Sequence, residues 1–286
     1  MAVYKRTYSP YSGVLTPARS RFLILYRYSR RTLFRSKLQT AFFVLCFFYP
    51  LLCLLAIYLT NNLDFLVKYN LTGIRFLKID NKFFFYFVDI QGVLALLLTA
   101  FVGPGLISPD LANGALPLYL CRPFSRAEYV LGKMSALAFL LSYITWIPGL
   151  VLFIVQASLA GPRWLWENLW IAGSILLACW LWIAILSLLA MALSAWVRWR
   201  IVAGALLLGL FFFASGFAQA INAVMRTRLC NLADIIKLIG TVWINLFRVD
   251  VELPLSALQA WISLLAICAF CLYLLMRKVR AFEVVK

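Results

Sequence analysis

The chain contains no histidine and few acidic residues. Its 286 residues include 10 Asp and Glu against 27 Lys and Arg. Histidine is the residue that most readily moves protons near neutral pH, and it is the commonest metal ligand in proteins. No cluster of cysteines has the spacing of a zinc site, and no pair of acids falls within an apolar run. The sequence therefore predicts a chain with no catalytic residues and no metal site of its own.

Charged residues of either sign are scarce along the whole chain. They make up 13% of it, whereas a soluble domain has about 25%. Apolar residues make up 65%, and a soluble chain of this length would not have enough interior to bury them. Lipid can solvate such a surface when the backbone is helical. We therefore predict an all-α integral membrane protein.

Two further absences narrow the function. The chain has no G-x-x-x-x-G-K-[ST] loop, so it does not bind ATP by that route. Its net charge of +17 is spread between apolar runs rather than along a groove with base-stacking aromatics, which argues against nucleic acid as a partner. Basic residues beside a bilayer attract anionic headgroups, so membrane lipids are the predicted partners of these charges.

Six apolar runs are each long enough to cross a bilayer, which requires about 20 helical residues. They cover residues 39–60, 83–107, 134–158, 169–195, 201–224 and 255–276. Of the 27 Lys and Arg residues, 18 lie on the side of the N-terminus, and this excess predicts that both termini are cytoplasmic. We predict one six-helix membrane domain (39–286), preceded by a basic tail and an interfacial elbow helix (1–38).

Two segments outside the runs have amphipathic spacing. Residues 19–39 predict a helix that lies in the inner interface, and a disordered basic tail is the alternative. Its basic face consists of Arg27, Arg30, Arg31 and Arg35. Residues 225–254 predict a short amphipathic helix at or dipping into the outer interface, because apolar residues from Leu232 to Trp243 follow helical spacing.

Polar residues inside the apolar runs are candidates for a transport path. Asp89 is the only charged residue well inside a run, and Gln91 lies close to it in sequence. An acid inside a membrane is energetically expensive and is therefore a functional candidate. The alternative is an interfacial acid that reaches water or Lys82. Ser215 and Gln219, in the outer half of helix five, either line a path or bond to a neighbouring helix.

The connection between helices two and three, residues 108–133, has the sequence of a structured inner loop. Asp110 is placed to cap a short helix that follows it, and Arg122 ends that helix because a residue before proline avoids the helical region. Ser125 and Glu128 have the spacing of a capping box for the next helix. The predicted result is a compact helix–turn–helix elbow near the cytoplasmic face.

This loop resembles the corresponding loop of type 2 ABC exporter permeases. The family pattern has I-S-x-D after helix two, a later R-P-x-S-R and then Y-x-x-G-K. The matching residues are Ile107-Ser108-Pro109-Asp110, Arg122-Pro123-Phe124-Ser125-Arg126 and Tyr129-Val130-Leu131-Gly132-Lys133. Two departures from the pattern are Pro109 beside the aspartate and a basic N-terminal tail that is longer than expected.

The resemblance implies partners and a docking site. In that family the loop is the coupling helix that docks on a separate ATP-binding subunit, which holds ATP and Mg. Two permease chains, identical or different, form the transporter, and helices two and five face the central path. The implied docking residues are Asp110, Leu116, Leu118, Tyr119, Arg122, Arg126 and Glu128. A plain connector, whose arginines meet only lipid phosphates, is the alternative.

These observations predict the membrane-spanning permease subunit of an ATP-driven ABC transporter. The predicted direction of transport is export, and the predicted location is a bacterial inner membrane. An ion- or proton-coupled carrier that uses Asp89 is the alternative. Carriers usually show internal repeats and several buried polar residues, and neither is clear in this sequence. A membrane-embedded lipid-modifying enzyme is a third interpretation, which the lack of histidine and paired acids disfavours.

The predicted orientation is testable with single cysteines in a cysteine-free background. A cysteine placed near Lys78 should be labelled on intact cells by an impermeant thiol reagent, because the charge bias puts this segment outside. A cysteine placed near Glu283 should be labelled only after the cells are opened. Reversed labelling of the two sites would overturn the orientation.

Overall fold

The computed structural model describes residues 17, 20–33, 36–62, 78–115, 125–197, 199–226, 229–251 and 255–278, and every regular element within these ranges is a helix. The helices are α1 (Arg21–Leu33), α2 (Lys37–Leu45), α3 (Phe48–Asn61), α4 (Asn81–Val102), α5 (Pro104–Ala112), α6 (Arg126–Ile144), α7 (Trp146–Ala160), α8 (Pro162–Trp196), α9 (Arg200–Met225), α10 (Ile235–Leu246) and α11 (Ala257–Lys278). A 3-10 helix covers Leu229–Ala233, between α9 and α10.

Six lengths of helix in the described part of the chain are long and apolar enough to cross a membrane. They are span 1 (Lys37–Asn61), span 2 (Asn81–Asp110), span 3 (Arg126–Ala160), span 4 (Pro162–Trp196), span 5 (Arg200–Met225) and span 6 (Ala257–Lys278). A helix rises 1.5 Å per residue, so even the 22 residues of span 6 reach across a hydrocarbon core of about 30 Å. The predicted all-α fold with six membrane-spanning helices is confirmed.

A proline explains the break between α6 and α7 within span 3. Pro148 has no N–H to donate, and its ring would collide with the carbonyl of Ile144, four residues earlier. The helix therefore breaks at Thr145, whose φ of −110° and ψ of −92° are not helical. Pro148 then falls in the first turn of α7, where a missing N–H is tolerated.

Several spans meet closely on one side of the bundle, which we call the N-terminal side because span 1 begins there. The Gln39 side chain of span 1 donates a hydrogen bond to the Phe101 carbonyl of span 2 at 3.1 Å. A Cβ atom at Gly204, near the start of span 5, would lie 2.4 Å from the Ala100 carbonyl oxygen. Only glycine permits this approach, so spans 2 and 5 touch through their backbones.

Span 4 forms the centre of the bundle. Of the 18 most apolar consecutive residues of span 4, 72% are buried, whereas the corresponding share is 22% in spans 1 and 6. Small residues such as Ser174, Ala178 and Ala190 let the neighbouring helices approach it closely. Near its middle the Trp182 indole donates to the Gly92 carbonyl of span 2 at 2.9 Å. The bundle therefore surrounds span 4, while spans 1, 5 and 6 keep broad apolar faces open to lipid.

The chain re-enters the bundle after span 5 instead of crossing straight to span 6. Arg226 turns the backbone with a φ of 49°, and the following 3-10 helix runs back beside span 5. Asn222 donates to Asn231 at 2.8 Å, and Ser215, near the middle of span 5, donates to Asp234 at 2.9 Å. We call residues 229–246 the re-entrant segment.

Helix α10 then returns from the middle of the bundle, packed between spans 4 and 6. The Trp243 indole donates to the Ala178 carbonyl at 3.3 Å, and Ser174 donates to the Leu246 carbonyl at 2.8 Å. A Cβ atom at Gly92 would lie 2.7 Å from the Trp243 ring, so a glycine is needed there. A helix is present within the predicted segment 225–254, and it packs against spans 4 and 6 inside the bundle. Its position relative to the outer interface stays a prediction.

Helix α1 is also present, and it packs along span 3. Leu25 and Ser29 are buried, whereas Arg27 and Arg30 are exposed, as the amphipathic spacing predicts. The Tyr26 ring meets the Phe139 ring edge-on at 5.5 Å. The side chain of Arg31 and all of Arg35 lie outside the described residues. The position of α1 at a membrane surface stays a prediction.

Candidate functional site

A buried polar cluster joins the end of span 2 to the start of span 3. The Lys133 ammonium lies 2.9 Å from Oδ2 of Asp110, and the Tyr129 hydroxyl donates to the same oxygen at 2.7 Å. The two charged side chains are only 5% and 15% exposed, so their attraction is weakly screened by water. We call these three residues the Asp110 cluster. It lies on the N-terminal side, at the base of the connection between spans 2 and 3.

The role predicted for Asp110 as a helix cap is wrong. Asp110 lies inside the helical residues Pro104–Ala112, so the next helix does not begin at it. Its carboxylate instead accepts hydrogen bonds from Tyr129 and Lys133, nineteen and twenty-three residues later. The I-S-x-D and Y-x-x-G-K parts of the motif thus contain the two halves of one contact.

The serine of the I-S-x-D motif has a tertiary role as well. The Ser108 backbone N–H donates to the Ser194 hydroxyl at 2.9 Å, and the Ser108 hydroxyl donates to the Val197 carbonyl at 2.8 Å. Both serine side chains are completely buried. The Arg200 guanidinium, at the start of span 5, donates to the Phe101 carbonyl at 3.1 Å. The end of span 2 is therefore tied to spans 3, 4 and 5 at once.

The predicted capping box at the start of α6 is confirmed. The Ser125 hydroxyl accepts from the Glu128 N–H at 3.2 Å, and the Glu128 carboxylate accepts from the Ser125 N–H at 2.7 Å. The two bonds satisfy N–H groups that a helix start would otherwise leave unpaired. They set where span 3 begins, and Arg126 is exposed beside them.

Three of the seven predicted docking residues lie in the described part of the chain. Asp110 is held in its cluster, Glu128 forms the capping box, and Arg126 is exposed at the first turn of α6. The other four, Leu116, Leu118, Tyr119 and Arg122, lie outside the described residues. The structure therefore places both ends of the predicted docking loop.

Asp89 and Gln91 do not form one site. Asp89 is exposed, on a face of span 2 that also exposes Tyr86 and Val93. Gln91 is buried, and its amide donates to the Cys46 carbonyl of span 1 at 3.1 Å. Two residues apart on a helix point in nearly opposite directions, which separates these two side chains.

Ser215 and Gln219 bond to a neighbouring segment, which is one of the two roles that the sequence leaves open. Gln219 donates to the Ser215 hydroxyl at 3.2 Å, and Ser215 donates to Asp234. Lys237 donates to Asn231 at 3.0 Å. We call this the Asp234 network. Its members are Ser215, Gln219, Asn222, Asn231, Asp234 and Lys237.

Asp234 is the functional candidate that the sequence reasoning missed. Its side chain is completely buried, and it caps α10 by accepting from the N–H groups of Ile236 and Lys237 at 3.1 and 3.3 Å. The Lys237 ammonium is 3.9 Å away and 30% exposed. The partial positive charge at the start of α10 adds to this stabilisation. The sequence contains a signal for this contact, because span 5 carries the polar residues Ser215, Gln219 and Asn222 at helical spacing.

The Asp110 cluster generates a test of stability. Lys133→Met should lower the thermal midpoint in detergent by about 10 °C, because an unpaired buried charge costs about 3–5 kcal/mol. Asp110→Leu combined with Lys133→Met should recover most of this loss, since it removes both charges. Arg163→Met, which breaks an exposed ion pair with Glu167, is the control and should change little. Equal midpoints for Lys133→Met and the control would contradict a structural role for the cluster.

Two comparisons with known proteins were informative to different degrees. The comparison with curated proteins finds no match for the chain. A family model described as "ABC-2 family transporter protein" matches residues 31–283, which include all six spans, the Asp110 cluster and the re-entrant segment. The chain is therefore a multi-pass membrane protein that belongs to the ABC-2 family of transporter proteins, the membrane permeases of ABC transporters.

Proposed function

We propose that the chain is the permease of an ATP-driven exporter, and that a separate ATP-binding subunit acts on it through the loop between spans 2 and 3. The partner would hold ATP and Mg²⁺, since the chain has no G-x-x-x-x-G-K-[ST] loop. The N-terminal side would face the cytoplasm, where Arg27 and Arg30 are exposed on α1 and would meet anionic headgroups. From the sequence pattern alone, we propose the same role for Arg31 and Arg35. A bacterial inner membrane is the proposed location.

The observation that carries this proposal is the double anchoring of the loop. Its first end is held by the Asp110 cluster and by the bonds between Ser108 and Ser194, and its second end begins at the capping box of Ser125. If the ends of the loop were not anchored, a movement of the ATP-binding subunit would only bend the loop and would not reach the spans. A push on this loop would reach the ends of four spans, because buried polar contacts connect spans 2, 3 and 4, and the exposed Arg200 side chain bonds span 5 to span 2.

The loop also has the composition of a docking surface. Leu116, Leu118 and Tyr119 supply apolar area that a partner can bury, and the arginines and Glu128 supply charges that set register. Arg126 is exposed at the first turn of α6, where a subunit on the N-terminal side can reach it. We propose this set, together with Asp110 as its anchor, as the coupling site.

A second permease chain is proposed to pack beside spans 2 and 5. Span 5 exposes Phe213 and Phe217 by 80% and 69%, and a Cβ atom at Gly216 would meet nothing within 4 Å. Gly216 and Ala220 have the small-x-x-x-small spacing that lets helices approach in lipid. The path would then run between the two chains, with Asp89 at its edge. Gln91 would support it from behind. Ser215 and Gln219 lie on the other face of span 5 from Phe213 and Phe217, so they would hold the re-entrant segment instead of bordering this path.

Docking through the loop is tested with Leu118→Ser combined with Tyr119→Ser. Loss of an apolar anchor pair should weaken binding of the ATPase by about 30-fold, which corresponds to about 2 kcal/mol. Pull-down of the ATPase and substrate-stimulated ATP hydrolysis are the measurements. The spans should remain folded, because the substitutions lie outside them.

The matched control is Tyr58→Ser combined with Leu159→Ser, the same residue types at exposed positions on the opposite side. This control should bind the ATPase normally. Unchanged binding together with unchanged stimulation in the Leu118 and Tyr119 variant would remove the loop as the docking site. The permease role of the chain would not be affected by that result.

A substitution at Asp89 tests whether transport is driven by ATP or by protons. In an ATP-driven permease, Asp89→Asn should reduce transport by no more than about tenfold and leave its pH dependence unchanged. In a proton-coupled carrier the same change would abolish transport and its response to pH. The measurement is efflux from vesicles at several pH values, with and without ATP. A folded Asp89→Asn protein that still binds the ATPase but does not transport would favour the carrier.

A further inference from the structure

A groove of about 550 Å³ lies between spans 4, 5 and 6, on the surface that faces lipid. Every side chain that lines it is apolar. Leu189 and Trp196 form one wall, Ala214 lies on span 5, and Phe270 and Leu274 form the wall on span 6. The groove is separate from the Asp110 cluster and from the exposed face of spans 2 and 5.

The two ends of the groove differ in chemistry. At the N-terminal side it opens beside Trp196, where the Lys278 ammonium lies 5.0 Å over the indole ring and Arg277 is exposed. At the other end it is closed by Leu232 and Ile235 of the re-entrant segment. The groove is therefore basic at its mouth, apolar along its length and closed near the middle of the bundle.

The depth of the groove is about two thirds of one leaflet of a bilayer. Trp196 and Leu189 are seven residues apart on span 4, and this separation corresponds to about 10 Å of helix. Half of a hydrocarbon core is about 15 Å thick. A tryptophan paired with a lysine marks the level of the headgroups, so the apolar length below it lies where acyl chains lie.

We propose that this groove binds one anionic glycerophospholipid from the leaflet on the N-terminal side. One acyl chain lies along the apolar walls and ends against Leu232, and the phosphate is held by Lys278 and Arg277. The charges at the mouth complement a phosphate, whereas the walls consist of Leu, Ile, Ala, Phe, Trp and Cys side chains, which suit an acyl chain. Both basic residues are placed at the C-terminal end of span 6, where the helix carbonyls also favour cations.

The lipid would contact the element that closes the groove. Ile235 lines the groove directly after Asp234, which caps α10 and connects it to span 5. A ligand that binds the folded arrangement stabilises it in proportion to its occupancy. Binding of the lipid should therefore raise the thermal midpoint of the protein and hold the re-entrant segment in place.

Two sets of variants separate the acyl-chain contacts from the phosphate contacts. Ala214→Trp fills the groove, and Ala205→Trp, at an exposed position of the same span outside the groove, is the matched control. Arg277→Ala combined with Lys278→Ala removes the charges at the mouth. Binding of dioleoyl phosphatidylglycerol and of dioleoyl phosphatidylcholine to the full chain in detergent is measured by native mass spectrometry.

The wild-type chain and Ala205→Trp should retain one phosphatidylglycerol in preference to phosphatidylcholine. Ala214→Trp should weaken the binding of both lipids about tenfold. Removal of Arg277 and Lys278 should weaken the binding of phosphatidylglycerol by about fivefold per charge. The binding of phosphatidylcholine should stay unchanged. If Ala214→Trp does not fold, Ala233→Leu narrows the same groove from its closed end.

Three results would overturn the proposal. The first is that Ala214→Trp, or its substitute Ala233→Leu, binds lipid as tightly as the Ala205→Trp control does. The second is an unchanged preference for phosphatidylglycerol after removal of Arg277 and Lys278. The third is lipid binding that occurs only after residues 279–286 are deleted, which would assign the groove to the chain's own C-terminal residues.

Discussion

The buried ion pair between Asp110 and Lys133 fixes the N-terminal side of the bundle. Neither charge has enough water around it to be solvated alone, so spans 2 and 3 cannot separate there without leaving one of them unpaired. The bonds of Ser108 to Ser194 extend this constraint to span 4, and Arg200 extends it to span 5. Both ends of the loop between spans 2 and 3 are thus held by contacts with neighbouring spans. The coupling role that we propose for the loop depends on this anchoring.

The requirement that a buried charge be paired or hydrogen-bonded also sets the depth of the re-entrant segment. Asp234 is buried near the middle of span 5, and its carboxylate is satisfied by the Ser215 hydroxyl and by the first N–H groups of α10. Trp243 then fills the space that Gly92 leaves open. Because α10 is held at this depth, it closes the groove between spans 4, 5 and 6 halfway across. An interfacial helix would leave that groove open along its whole length.

Helix geometry explains which predicted site residues belong together. Ser215 and Gln219 are four residues apart, so they lie on one face of span 5 and bond to each other. Asp89 and Gln91 are two residues apart, so one is exposed while the other is buried against span 1. Periodicity could have separated this second pair in advance. It could not have shown that Gln91 bonds to Cys46, because the mostly apolar residues around span 2 do not indicate which neighbouring helix each face meets.

The sequence by itself determined the features that depend on local interactions. Hydrophobic runs of bilayer length set the six spans, and the spacing of Ser125 and Glu128 set the start of α6, because these signals involve residues within a few turns of one another. Only the tertiary structure decided that Asp110 pairs with Lys133 rather than capping a helix, and that α10 enters the bundle. Both depend on contacts between separate helices. In lipid, hydrophobic patterning does not select the neighbour of a helix, so close packing and the pairing of buried polar groups select it.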